Sequence, residues 1–182
     1  GPAQLWEACT GYGAAKIAAE EAIAASGIAA AIVRLPSLYD LDIPNSRDIY
    51  EIILDASLRA GVFPEGLRFP MTDVTAAAAF LRGEISGPDT PVYNLMADEG
   101  VRITGADVLP VTGWLAEVDL PSGITRVLAE FPDTLRADAV FETAAARAAW
   151  VRVTGQPYEA ISDVDALLAR RRASYQSDPA LT

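Results

Sequence analysis

The chain has 182 residues, 51% of them apolar and 21% charged, and a formal net charge of −11. That length and apolar share suit one folded domain with a real core and exclude a disordered polymer. The acidic balance excludes a nucleic-acid or anionic-membrane surface, and one cysteine with no histidine excludes an internal disulfide, the usual zinc sites and Ser-His or Cys-His nucleophile pairs. The longest apolar run, 23–33, is interrupted by Ser26 and Gly27 and falls short of the roughly 20 residues of a membrane span. With no basic-then-apolar export signal at its start, the chain is expected to be a soluble cytoplasmic protein. Gly1-Pro2 reads as the scar of a cleaved tag, 3–175 as a single domain and 176–182 as a frayed tail.

In chain order, a short lead-in ends at Thr10-Gly11, a plausible helix start. Residues 12–25 predict an alanine-rich helix, stopped by Ser26-Gly27 as a glycine C-terminal cap. Residues 28–34 are apolar on both faces and end in β-branched residues, which predicts a central strand of a parallel sheet. Residues 35–39 predict a loop at that strand's carboxyl end, the position where open α/β sheets bind ligands. Residues 40–46 form a polar loop with Pro44, suited to lining a substrate cleft. An amphipathic helix over 48–60, closed by Gly61, comes next. A short strand is predicted over 68–71, then Thr72-Asp73 as the cap of a helix over 74–82 ended by Gly83. After a turn at 86–89 come strands over 91–96 and 101–103, and Thr104 as the cap of a helix from 105 or 106 to about 111. Short helices over 114–118 and 124–129, then helices over 143–153 and 163–175, complete the pattern. The fold class expected is α/β: an incomplete Rossmann-type core over 3–72 and a mostly helical substrate-binding part over 73–175.

Lys16 is the only lysine among 14 basic residues and stands four positions after Tyr12. At that spacing both side chains leave the same face of a helix. An ammonium stabilises a neighbouring phenolate, so such a tyrosine can exchange a proton nearer neutral pH. This is the acid that carbonyl reduction requires. The competing reading is a tyrosine packed over a lysine stem, with Lys16 and Glu20 as a weak surface pair one turn apart.

Gly11-Tyr12-x-x-x-Lys16, Glu20 in the same helix, Gly27, and Ile32-Val33-Arg34-Leu35-Pro36 follow in an order that resembles the second half of an extended short-chain dehydrogenase/reductase. More closely, the chain is similar to the carrier-linked thioester reductase domains that end some nonribosomal peptide synthetases and carboxylic acid reductases. In that family the last motif usually reads Arg-Pro-Gly. Phe69-Pro70-Met71-Thr72-Asp73-Val74, Val92-Tyr93-Asn94-Leu95 with Ile103-Thr104, Trp114-Leu115, and Phe141-Glu142-Thr143 onward to Tyr175 spread the likeness over nearly the whole chain. The resemblance implies Tyr12 as proton donor to the carbonyl oxygen and NADPH as hydride donor. It implies Lys16 as the residue that tunes the tyrosine and holds the nicotinamide ribose, and Pro36, Ser37 and Leu38 as nicotinamide contacts. The substrate it implies is an acyl or peptidyl group on a carrier protein's phosphopantetheine arm, released as aldehyde or alcohol.

No Gly-x-x-Gly-x-x-Gly or Gly-x-Gly-x-x-Gly turn follows any expected strand, so the phosphate-cradling half of a dinucleotide site is not in this sequence. The Ser or Thr that completes the family's catalytic set has no counterpart either. The expectation is therefore the carboxy-terminal part of a reductase that lacks its nucleotide-binding half, binds no dinucleotide tightly alone, and exposes or self-associates through an apolar face around 23–33. A non-catalytic docking module of a megasynthase and a release domain that cyclises its product without NADPH are the alternatives. Arg170-Arg171-Arg172 could meet an acidic carrier or its phosphate, or form a solvated helix face. Trp114 and Trp150 read as packing residues, Cys9 likewise, and Asp40, Asp42, Asp48, Asp73, Asp98 and Glu99 as caps and surface.

Overall fold

The computed structural model of the protein describes residues 11–67, 71–83, 85, 90–97, 107–130 and 141–177. The expectations placed on Cys9, Thr10, Phe69, the turn at 86–89, Asp98, Glu99, the strand at 101–103 and the Thr104 cap lie outside the described residues, as does the side chain of Tyr12. Seven α-helices are described: α1 (Gly11–Ala25), α2 (Ile49–Ala60), α3 (Val74–Leu81), α4 (Val111–Glu117), α5 (Ser122–Glu130), α6 (Ala144–Thr154) and α7 (Val164–Ser177). Six three-residue strands accompany them: β1 (Ile32–Arg34), β2 (Ser37–Tyr39), β3 (Val62–Pro64), β4 (Met71–Asp73), β5 (Val92–Asn94) and β6 (Asp107–Leu109). The protein is α/β.

Among the described residues the strands do not form one sheet. They make three separate parallel pairs, β1 with β5, β2 with β4 and β3 with β6. Ile32 lies opposite Val92, Ser37 opposite Met71, and Val62 opposite Asp107. Local chemistry sets several of the boundaries. Asp48 caps α2 by accepting from the backbone N–H groups of Tyr50 and Glu51 at 2.9 and 3.2 Å, and Gly61 ends it in the left-handed region at φ 71°. Asp73 closes β4 and caps α3 in the same way, accepting from Thr75 and Ala76 at 2.7 and 3.0 Å.

Three sequence expectations are corrected. The strand expected over 28–34 is confined to Ile32–Arg34, and Ile28 is 66% exposed. Its partner β5 begins at Val92, with Ile32 N–H donating to Pro91 O at 2.9 Å, and of the expected strand residues before Ile32 only Ala30 is in a β-bridge. The loop expected over 35–39 contains β2, because pairing with β4 recruits Ser37–Tyr39. Of the strand expected over 68–71, residues 68–70 lie outside the described residues, and Met71 opens the strand Met71–Asp73. Residues 107–109, expected in a helix, are extended and pair with β3. Pro110 disfavours helical geometry in the residue before it, so the helix begins at Val111 instead. β3 itself, Val-Phe-Pro directly after a helix, carries too short a pattern to be read from sequence.

Two apolar clusters hold the elements together. One joins β2, α2, β3, α4, α5 and α7 around Trp114, whose Nε1 donates to the buried Ser57 Oγ at 3.1 Å. The other joins α3, β5, α6 and the 3-10 turn Tyr158–Ile161 around Trp150. Phe80 stacks on Trp150 with ring centroids 6.3 Å apart, and Tyr158 meets it edge-on at 6.5 Å. Where α3 ends, a Cβ on Gly83 would overlap Val153 Cγ1 on α6 and come within 2.9 Å of its Cγ2. Gly83→Ala is expected to force the two helices apart and cost about 1–3 kcal/mol, read as a lower midpoint in urea. An unchanged midpoint would mean that the contact yields freely.

Candidate functional site

The residues singled out in the sequence fall on α1 and on the segment that follows β1. Ser26 and Gly27 end α1 and turn the chain back: Ser26 Oγ donates to Ile23 O at 2.7 Å and accepts from Ile28 N–H at 3.2 Å, while Gly27 has φ 70°. Most of α1 is exposed, and Lys16 stands on it as an exposed side chain. Glu20, one turn further on, is the residue that fastens the helix. Arg34 donates to both of its carboxylate oxygens, Nε to Oε1 at 3.0 Å and Nη2 to Oε2 at 2.6 Å. This fork draws α1 to the carboxyl end of β1.

The arginine's hydrogen bonds hold the Glu20 carboxyl below its usual range, against partial burial, and the same bonds raise Arg34. A lowered carboxyl pKa contributes stability above the unfolded value and loses it as pH falls through the folded one. Attachment of α1 is therefore expected to be intact at neutral pH and to weaken through the acid range. Hydrogen exchange along α1 should rise there before that of α2. Equal acid sensitivity of both helices would contradict this.

Pro36 turns the chain out of β1, and Ser37 and Leu38 enter β2. Leu38 packs with Val33 and Ala76 against the Trp150 cluster. Ser37 Oγ donates to Asp48 Oδ2 at 2.8 Å, while the other oxygen of that carboxylate caps α2. Ser37 is thus drawn toward α2, and Lys16 is carried on the helix tied to Arg34, two residues before Pro36. Beyond β2 the 40–46 loop folds on itself, with Asp40 Oδ1 accepting from the N–H groups of Asp42 and Ile43 at 2.8 and 3.0 Å. Those bonds hold the Asp40 carboxyl below its usual range.

The loop expected to line a cleft does border open space. A hollow of about 300 Å³ lies between Pro44, Asn45 and Ser46, the side of α2, and Arg171. A second, of about 510 Å³, lies across Pro44 against Arg170, Arg171 and Ser174 of α7. The arginine run on α7 is neither a single solvated face nor a uniformly free cationic patch. Arg171 is 5% exposed and pairs with Glu51, 4% exposed, at 2.9 Å. Arg170 donates to Asp42 Oδ1 at 2.6 Å in an exposed pair. Asp48, Glu51 and Arg171 organise the site region, though Asp48 read from sequence only as a cap and Arg171 only as part of an arginine run. Glu51 and Arg171 are 120 positions apart, and a carboxylate at the start of a helix reads first as a cap.

No family model, curated protein or solved structure matches this chain. Among the described residues, no group of three or more Cys, Asp or Glu side chains is placed to hold a metal ion, and no helix is long and apolar enough to cross a membrane.

Proposed function

We propose that this chain is the carboxy-terminal, substrate-binding part of a carrier-linked thioester reductase of the extended short-chain dehydrogenase/reductase type. The observation that supports it best is the Glu20–Arg34 fork. It ties the helix with the Tyr-x-x-x-Lys spacing to the strand that runs directly into Pro36, Ser37 and Leu38, so the acid-bearing helix and the nicotinamide-contacting segment share one anchor. In this reading Tyr12 would donate a proton to the oxygen of the thioester or aldehyde carbonyl, NADPH would supply the hydride, and the hemithioacetal formed from the thioester would collapse to the aldehyde with release of the phosphopantetheine thiol. Lys16 stabilises the phenolate and holds the ribose of NADPH. The hollows beside Pro44 would take the acyl or peptidyl chain carried on phosphopantetheine. NADPH would be held mainly by a glycine-rich half that this chain does not contain.

Calorimetric titration tests the division of labour. NADPH added to this chain alone is expected to show no saturable binding, and micromolar binding would overturn it. In a protein that joins this chain to a nucleotide-binding half, Tyr12→Phe is expected to lower reductive turnover by about 10²–10⁴. Undiminished turnover would sink the assignment of Tyr12.

A further inference from the structure

Four consecutive residues that leave β2 are each bonded to α7 or the residue that caps it. Tyr39 OH accepts from Asp163 N–H at 2.6 Å. Arg171 Nη2 donates to Asp40 O at 2.6 Å and its Nη1 to Leu41 O at 2.7 Å. Arg170 reaches the Asp42 carboxylate through Nε and Nη2, at 2.9 and 2.6 Å. Behind them, Glu51 on α2 takes the remaining side of the Arg171 fork through both oxygens, at 3.3 and 2.9 Å. Burying an ion pair is an inefficient way to stabilise a fold, since an apolar pair of similar volume does as well or better. A planar guanidinium, however, can hold a carboxylate and two carbonyls at once in fixed directions, which no apolar side chain can do.

We propose that α7 is a splint for the 37–48 segment and that Arg171 is its positioning residue: it fixes the path of the chain after β2, and with it the orientation of Ser37 and Leu38. The Ser37–Asp48 bond ties the two ends of the same segment to each other at the start of α2, while α7 and its capping residue hold the stretch from Tyr39 to Asp42. The consequence for NADPH rests on the reductase reading. The splint itself does not.

Arg47 is exposed within the segment and Arg59 lies in α2, so trypsin reports on both local release and global unfolding. Arg171→Lys keeps a cation beside Glu51 but cannot span both carbonyls. Cleavage after Arg47, followed by mass spectrometry, is expected to accelerate by about tenfold or more while cleavage after Arg59 changes little. No acceleration at Arg47, or equal acceleration at both sites, would overturn the splint. Should Arg171→Lys fail to fold, Arg170→Gln decides at an exposed position: selective acceleration of about twofold at Arg47 supports the splint, and none refutes it. In the joined reductase, Arg171→Lys should raise KM for NADPH more than it lowers kcat. Selective cleavage without any NADPH effect would count against the nicotinamide role of Ser37 and Leu38. Unchanged cleavage would remove the splint and leave that role standing.

Discussion

Arg171→Met is expected to be the most damaging single change at a charged residue, lowering stability by about 3–5 kcal/mol. The substitution leaves Glu51, 4% exposed, without its counter-charge. It also strips a donor from the Asp40 and Leu41 carbonyls. The paired variant Glu51→Met/Arg171→Met separates these effects. Removing the stranded carboxylate should recover most of the loss, yet stability should stay about 1–2 kcal/mol below the native chain because the two carbonyls still lack their donor. Urea denaturation of the native chain, both single variants and the double variant closes the cycle. A native-like Arg171→Met would show that Glu51 finds solvent or another donor, and that the pair contributes little.

Trp150→Ala should cost about as much, roughly 3–5 kcal/mol, for a different reason. The indole is buried and makes three contacts: Phe80 of α3 by stacking, Tyr158 of the 3-10 turn by its edge, and Pro157 O, at the start of that turn, through an Nε1 hydrogen bond of 3.0 Å. Tyr158 in turn donates to Met96 O and accepts from Met96 N–H at the end of β5. Emptying the Trp150 position therefore loosens the strand that pairs with β1 as well as the cavity itself. Amide exchange at Ile32 and Leu95, which bond across that pair, should rise with the loss of global stability. Native protection at those amides with a lowered melting temperature would show that the damage stops at α6.

Much of the architecture was legible where a residue's role is local. The helices at 12–25, 48–60, 143–153 and 163–175 lie within a residue or two of α1, α2, α6 and α7, because alanine content, apolar spacing, the Asp48 cap and the glycines at 27, 61 and 155 act within one or two turns. The strands were less legible. Three residues are too few to show a period, and β2, β3 and β6 are extended because of their partners rather than their composition. The site divides along the same line. The Tyr-x-x-x-Lys spacing could be seen because it spans a single turn. The Ser37–Asp48, Asp42–Arg170 and Glu51–Arg171 bonds could not, since the latter two join residues 128 and 120 positions apart. Arg171 shows the limit most clearly: from sequence it is the middle of three arginines on a terminal helix, and in the fold it is among the least exposed charged groups.

The three strand pairs have a bearing on how the chain reaches this fold. By residue number the paired positions are far apart: Ile32 and Val92 differ by 60, Val62 and Asp107 by 45, and Ser37 and Met71 by 34. Each ladder is three residues long, so a large loop must close before only a few backbone hydrogen bonds form in return. Helices α1, α2 and α7 can form early from local contacts, whereas the pairs can form only after the helices between them have docked. A chain built this way folds late in its strands and slowly for its size. The order of assembly puts the segment after β1, where the chemistry is proposed to lie, among the last parts to be fixed.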